Sequence, residues 1–201
     1  MDNKSLVKQV IHKMDGVAKT SDFVSAGITA QEINELYKKG YLKRIRHGYY
    51  QLSEVDNTAE EQLLKKLVPQ GVVSLESSLF HYGYSDFAPR KWFITVPRSI
   101  SRAKLKIDTL PIETIYVKNE LYDIGKSESL FNGVKLPVYD RERTICDCFK
   151  HRYKLDNEVF NKALNAYVRD DKKNLANLSK YAKELHVYRK VMEIMAILLI
   201  S

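Results

Sequence analysis

The chain has 201 residues, 44% hydrophobic and 29% charged, ordinary values for a globular protein and enough length for one large domain or two small ones with their own cores. Lysine and arginine outnumber the acids 33 to 25, giving a net charge of +8, which favours an anionic partner without naming it. The apolar run Ala196–Ile200 is far too short to span a bilayer, the first ten residues carry no secretory pattern, and Cys146 and Cys148 form neither a CxxC motif nor a zinc knuckle, so the expectation is a cytoplasmic protein with no membrane partner, metal or cofactor.

Lys4–Met14 places Leu6, Val7, Val10, Ile11 and Met14 at helical spacing, with Lys8 and Lys13 opposite, and predicts a first helix closed by Asp15-Gly16. Val17–Ala26 reads as a turn into a short second helix, capped by Thr20 or Ser21, burying Phe23 and Val24 and stopped at Gly27. A third helix starts at Thr29, where Glu32 completes a capping box. Ile33, Leu36 and Tyr37 form its apolar face, and Gly40 ends it. Tyr41–Arg46 and Tyr49–Leu52, joined by His47-Gly48, then read as a β-hairpin with glycine supplying the unusual φ. Residues 1–52 are therefore expected to be a helix-turn-helix domain with one wing.

The polar, acidic residues 53–57 read as a connector. Thr58 caps a helix through Val68, burying Leu63, Leu64, Leu67 and Val68, and Pro69-Gln70-Gly71 breaks it. Val72–Ser74 leads into a helix over Leu75–Tyr82 that Gly83 ends. Trp92–Val96, Leu105–Ile107, Ile112–Val117, Leu121–Ile124 and Val134–Val138 are strand candidates. Asp140 caps a helix running to about His151 that buries Ile145, Cys146, Cys148 and Phe149; if Asp147 is buried there, Arg143 at i−4 is its partner. Asn157–Tyr167 and one long helix, Leu175–Leu199, close the chain, the last burying Leu178, Tyr181, Leu185, Tyr188, Met192, Met195 and Leu199. The fold class expected is α+β: an N-terminal winged helix-turn-helix followed by a mixed α/β C-terminal domain over 58–201.

A helix followed by a cationic hairpin is what a winged helix places on double-stranded DNA. The inward set of the third helix leaves Ala30, Gln31, Asn34, Glu35 and Lys38 outward. Gln31 and Asn34 are the expected base readers. Lys38, Lys39, Lys43, Arg44 and Arg46, five cations without an acid among them, are the expected phosphate clamps. Arg44 and Arg46 should share one face of their strand, and Glu35 should pair with Lys38 or Lys39. A second basic pole lies in residues 150–190, with eleven Lys/Arg against five acids; it reads either as a solvated helical surface or as an extension of the nucleic-acid footprint. No catalytic motif is present, and the nearest acid–lysine pairings, Glu113 with Lys118 and Asp140 with Glu142, have no distinctive spacing, so the chain is not expected to be an enzyme.

LKRIRHGYYQL directly after the third helix, then SLESSLFHYGY as a helix, KWFITVP as a strand and PVYDRERTICDCF opening a late helix make a chain that resembles the AbiEi antitoxins over almost its whole length. The resemblance implies an antitoxin of an abortive-infection, phage-resistance system. It implies an N-terminal domain that represses its own operon at inverted repeats, and a C-terminal domain needed for antitoxicity. It also implies a nucleotidyltransferase toxin as functional partner, without a stable complex between the two. An inverted repeat would seat a pair of copies on the DNA. Two other readings stay open: a ligand-responsive winged-helix transcription factor with a small-molecule pocket in 58–201, and a nuclease using Glu113 or Asp140.

Overall fold

The structure, a computed structural model, describes residues 3–54, 58–107 and 109–200. The chain divides into two compact units, Met1–Leu67 with Lys106–Leu110, and Val68–Leu105 with Pro111–Ser201.

The first unit runs α1 (Asn3–Lys13), β1 (Ala18–Lys19), α2 (Thr20–Ser25), α3 (Ala30–Lys38), β2 (Leu42–Arg46), β3 (Tyr49–Leu52) and α4 (Glu60–Leu67). Its three strands form an antiparallel sheet of order β1-β3-β2. Val7, Val10 and Ile11 of α1, Phe23 of α2, Ile33 and Leu36 of α3, and Leu42 and Leu52 of the hairpin close one core, each large side chain contributing about 1.5–3 kcal/mol by leaving water. Several details differ from the sequence reading. Ala18–Lys19 is a strand, too short to leave a pattern. The N-cap of α2 is Lys19, whose N–H donates to the Asp22 carboxylate at 2.8 Å. Val24 points to solvent, 53% exposed, because a helix of six residues buries only one face, here through Phe23. Finally, α4 belongs to this first unit, which therefore extends to Leu67, past the 52/58 boundary drawn from sequence. Of the connector 53–57, residues 55–57 lie outside the described residues.

The second unit is built on a mixed five-stranded sheet of order β6-β5-β4-β8-β7, made by β4 (Val72–Val73), β5 (Trp92–Pro97), β6 (Ile112–Val117), β7 (Lys126–Phe131) and β8 (Val134–Tyr139). Its helices are α5 (Leu75–His81), α6 (Asn119–Tyr122), α7 (Arg141–Lys150), α8 (Asn157–Arg169), α9 (Leu175–Glu184) and α10 (Tyr188–Leu198). Helix α7 is buried from Glu142 to Phe149, and α5, α8, α9 and α10 pack around it. The ion pair expected inside it is there: the Arg143 Nε donates to Asp147 Oδ1 at 3.0 Å, both side chains nearly inaccessible. Arg143 Nη1 also donates to the carbonyls of Leu121 and Ile124, so the buried charge is hydrogen-bonded through Nε and Nη1, while Nη2 is buried with no partner among the described residues.

Three expectations for residues 58–201 fail, and two strands were not expected. Leu105–Ile107 is no strand; a 3₁₀ turn spans Arg102–Leu105. Leu121–Ile124 is no strand either, since Asn119–Tyr122 is a helical turn. Val72–Val73 and Lys126–Phe131 are strands that the sequence reading passed over. The single helix over Leu175–Leu199 is two helices, broken at His186, which has φ +59°. There the Val187 N–H donates to the Ala182 carbonyl and the His186 N–H to that of Lys183, the Schellman termination. After the break the buried residues are Val191 and Met195, while Tyr188 and Leu199 are exposed.

Candidate nucleic-acid interface

Helix α3 is held by its N-terminus. The Thr29 hydroxyl accepts from the Glu32 N–H at 3.3 Å, and the Glu32 carboxylate accepts from the Thr29 N–H at 2.7 Å. Asn3 of α1 donates to the other Glu32 oxygen. Those Thr29 and Asn3 bonds hold the Glu32 carboxyl below its usual range. The box therefore fixes both the start of α3 and its seat on α1, and it removes Glu32 from the outward face. With Ile33 and Leu36 buried, the rotation of about 100° per residue sets Gln31 and Lys38 opposite the core, flanked by Asn34 and Glu35. All four are exposed. Glu35 takes a different partner from the one expected: Gln31 Nε2 donates to it at 3.4 Å. Tyr37, read as buried, sits 37% exposed at the edge of the helix, its ring against Tyr50 and under the Arg44 guanidinium.

The hairpin departs from simple alternation. Leu42 pairs with Leu52, Lys43 with Gln51 and Arg44 with Tyr50, but Arg46 pairs with Tyr49, so a bulge falls at Ile45. The bulge lets Leu42 and Ile45, three residues apart, both point into the core. As a consequence Lys43 and Arg44 are both exposed, and the face shared by Arg44 and Arg46 that alternation predicts is lost. Arg44 leans towards α3, over Tyr37 at 5.3 Å. Arg46 stacks on Tyr49 at 4.3 Å and donates to the Leu67 carbonyl at 2.8 Å. It is half-buried and fastens the last turn of α4 to the hairpin, a role the sequence reading did not foresee. The turn itself is short and tied down: the Thr20 N–H donates to the Gly48 carbonyl at 2.9 Å. Lys19 also lies beside this hairpin, over the Tyr49 ring at 5.7 Å; it was missed because the strand that carries it has only two residues.

Of the seven candidate residues, Gln31, Asn34 and Lys38 share the outward face of α3, and Lys39, Lys43 and Arg44 are exposed from its last turn through the hairpin. Arg46 stands apart. The arrangement offers two amides for base edges and a row of cations for phosphates.

The second basic pole is partly self-neutralised. Lys154 donates to Glu113 at 2.7 Å, Arg189 to Glu193 at 2.9 Å, and Lys162 pairs with Asp86. Arg152 donates to the Leu155 carbonyl. Arg169, Lys172, Lys180 and Lys190 remain on the surface. The acids weighed for catalysis have other work. Glu113 lies between Lys91 and Lys154, at 2.9 and 2.7 Å, rather than beside Lys118, which pairs with Glu120. Asp140 caps α7 through the Arg143 N–H at 2.8 Å. Glu142 is buried, accepting from the Asn174 N–H and the Tyr167 hydroxyl.

Residues 6–53, from the first helix through the hairpin, match the model of a family described as transcriptional regulator, AbiEi antitoxin. That family is one of regulators, and the N-terminal resemblance read from sequence stands on this match. No curated protein matches the sequence. Among solved structures, the chain is similar to the RV2827C protein from Mycobacterium tuberculosis, with a TM-score of 0.62 at 13% identity, over 89% of this chain and 71% of that one. The likeness at that identity is one of fold, and it confirms a mixed arrangement of helices and sheets. Among the described residues no helix is long and apolar enough to cross a membrane.

Proposed function

We propose that this protein is a winged helix-turn-helix repressor that binds double-stranded DNA and acts as the antitoxin of a toxin–antitoxin operon. The observation that carries the reading is the outward face of α3, with Gln31, Asn34 and Lys38 exposed beside exposed Lys39, Lys43 and Arg44. The element order α1-β1-α2-α3-β2-β3 with a β1-β3-β2 sheet supports the winged-helix reading, and the match over residues 6–53 supports the antitoxin reading. In this account α3 enters the major groove, where Gln31 and Asn34 meet base edges. Lys38, Lys39, Lys43 and Arg44 hold phosphates. Arg46 keeps α4 on the hairpin and leaves phosphate contact to its neighbours. The operator is an inverted repeat upstream of the protein's own gene, occupied by a pair of copies in the cytoplasm. The second unit serves antitoxicity against a nucleotidyltransferase toxin with which no stable complex forms.

A reporter gene placed behind the upstream DNA tests this in cells. Wild-type protein should repress it, and Lys38/Lys39/Lys43/Arg44→Ala should release it at equal protein level. Unchanged reporter output with wild-type protein would contradict the repressor role.

A further inference from the structure

Among the described residues the Glu35 side chain caps no helix and has no buried partner. It lies in the middle of a nine-residue helix, exposed, and among the described residues its carboxylate is met by Gln31 Nε2 at 3.4 Å. Glu32, the other acid of α3, caps the helix and binds Asn3. An acid in the C-terminal half of a helix opposes the helix dipole, and an acid among phosphate-binding cations repels the phosphates. Both effects disfavour Glu35; Lys38 and Lys39 one turn on return only a small part of that cost, and among the described residues no buried contact or cap offsets the rest. One chemistry on this face does call for a carboxylate: it accepts a hydrogen bond from the exocyclic N4 amine of cytosine in the major groove, while an amide reads adenine through N6 and N7.

We propose that Glu35 is a specificity-determining residue that reads cytosine N4, oriented by Gln31, an inference that rests on α3 being the DNA-reading helix. The bond from Gln31 uses one N–H of its amide. The second N–H and the carbonyl oxygen stay available for adenine N7 and N6. Residues one helical turn apart stand about 5–6 Å from each other, and base-pair steps are about 3.4 Å. The pair therefore addresses one adenine and one cytosine, one or two steps apart. Glu35 lowers affinity for DNA in general and restores it where a cytosine amine is presented. That combination gives sequence discrimination to a surface whose other charges are indifferent to sequence.

The test is selection of binding sites from a random duplex library by the full chain, its Glu35→Ala and Glu35→Gln variants, followed by binding to the selected duplex and to scrambled DNA. The expected wild-type motif contains a cytosine preferred roughly 5- to 150-fold over the other bases. Glu35→Ala should lose that preference and bind scrambled DNA more tightly, and Glu35→Gln should move the preference towards adenine. If both variants return the wild-type motif and bind every duplex more tightly by one common factor, Glu35 is only a solvated acid and the proposal is overturned while the repressor reading survives. If the wild-type chain selects no motif, both fall. Circular dichroism of the variants excludes loss of α3 as the cause, since the capping box is untouched.

Discussion

Asp140 shows how one side chain carries two opposed demands. Its carboxylate caps α7 through the Arg143 N–H and accepts from the Tyr181 hydroxyl at 3.2 Å, yet burial pushes its pKa from 3.8 up to about 6. Because the folded value is the higher one, the native state binds this proton more readily than the unfolded chain. The stability that results is fully present below pH 3.8 and is lost as pH rises through 6. Asparagine caps a helix as well as aspartate and cannot ionise. Asp140→Asn should therefore gain on the wild type as pH rises from about 4 to 7, the difference in Tm widening across that window. A difference independent of pH would mean that burial does not disfavour this carboxylate. At this scale the sequence was informative where a partner lies on the same element. The Thr29–Glu32 box, the Asp140 cap and the Arg143–Asp147 pair all follow from spacings of three or four residues. It was silent where the partner is distant: nothing in the spacing of Arg46 points to the Leu67 carbonyl.

Elements were legible when their period was clean and their ends were punctuated. Residues 112–117 were read with the bounds the strand has, and the helix after Asp140 was read from its cap. Strand β7 was missed because KSESLF has little alternation of apolar and polar residues, although the turn that follows carried the signal. Asn132 and Gly133 both have positive φ, 46° and 82°, the geometry of a two-residue hairpin turn with an Asn-Gly sequence. The break between α9 and α10 was invisible for the opposite reason: the apolar period runs on through it, and its left-handed residue is His186 rather than glycine. A side chain at that φ costs about 1 kcal/mol or more relative to glycine. His186→Gly should accordingly raise the urea midpoint by the equivalent of about 1 kcal/mol with the fold unchanged, and a lower midpoint would show that the histidine side chain supports the junction. In the hairpin, the bulge at Ile45 decided which cations face out, and alternation alone assigned Arg44 and Arg46 to a common face that they do not share.

Across the whole molecule, composition announced an anionic partner. The chain sets a row of exposed cations on α3 and β2, while several cations of the second basic pole are engaged by Glu113, Glu193 and Asp86. The sequence left the second pole open between a solvated surface and a nucleic-acid footprint, because ion pairs between residues 41 or 76 positions apart, Lys154–Glu113 and Lys162–Asp86, leave no local pattern. The division into units was approximate for a similar reason: α4 reads as the start of a new domain, but it belongs to the first unit, where Arg46 holds the Leu67 carbonyl. The proposed function requires that α3 and the hairpin hold DNA. It is tested most directly by titrating salt against binding of the full chain to the DNA upstream of its own gene and to scrambled DNA of equal length. Wild type should prefer the upstream DNA. Lys38/Lys39/Lys43→Gln should flatten the slope of log K against log salt by about 2.7, at about 0.9 for each phosphate no longer neutralised, while Lys172/Lys180/Lys190→Gln leaves it within about 0.5 of the wild-type value. A wild-type chain that binds both DNAs equally, or a slope that falls with the second triple variant and not the first, would overturn the proposed function.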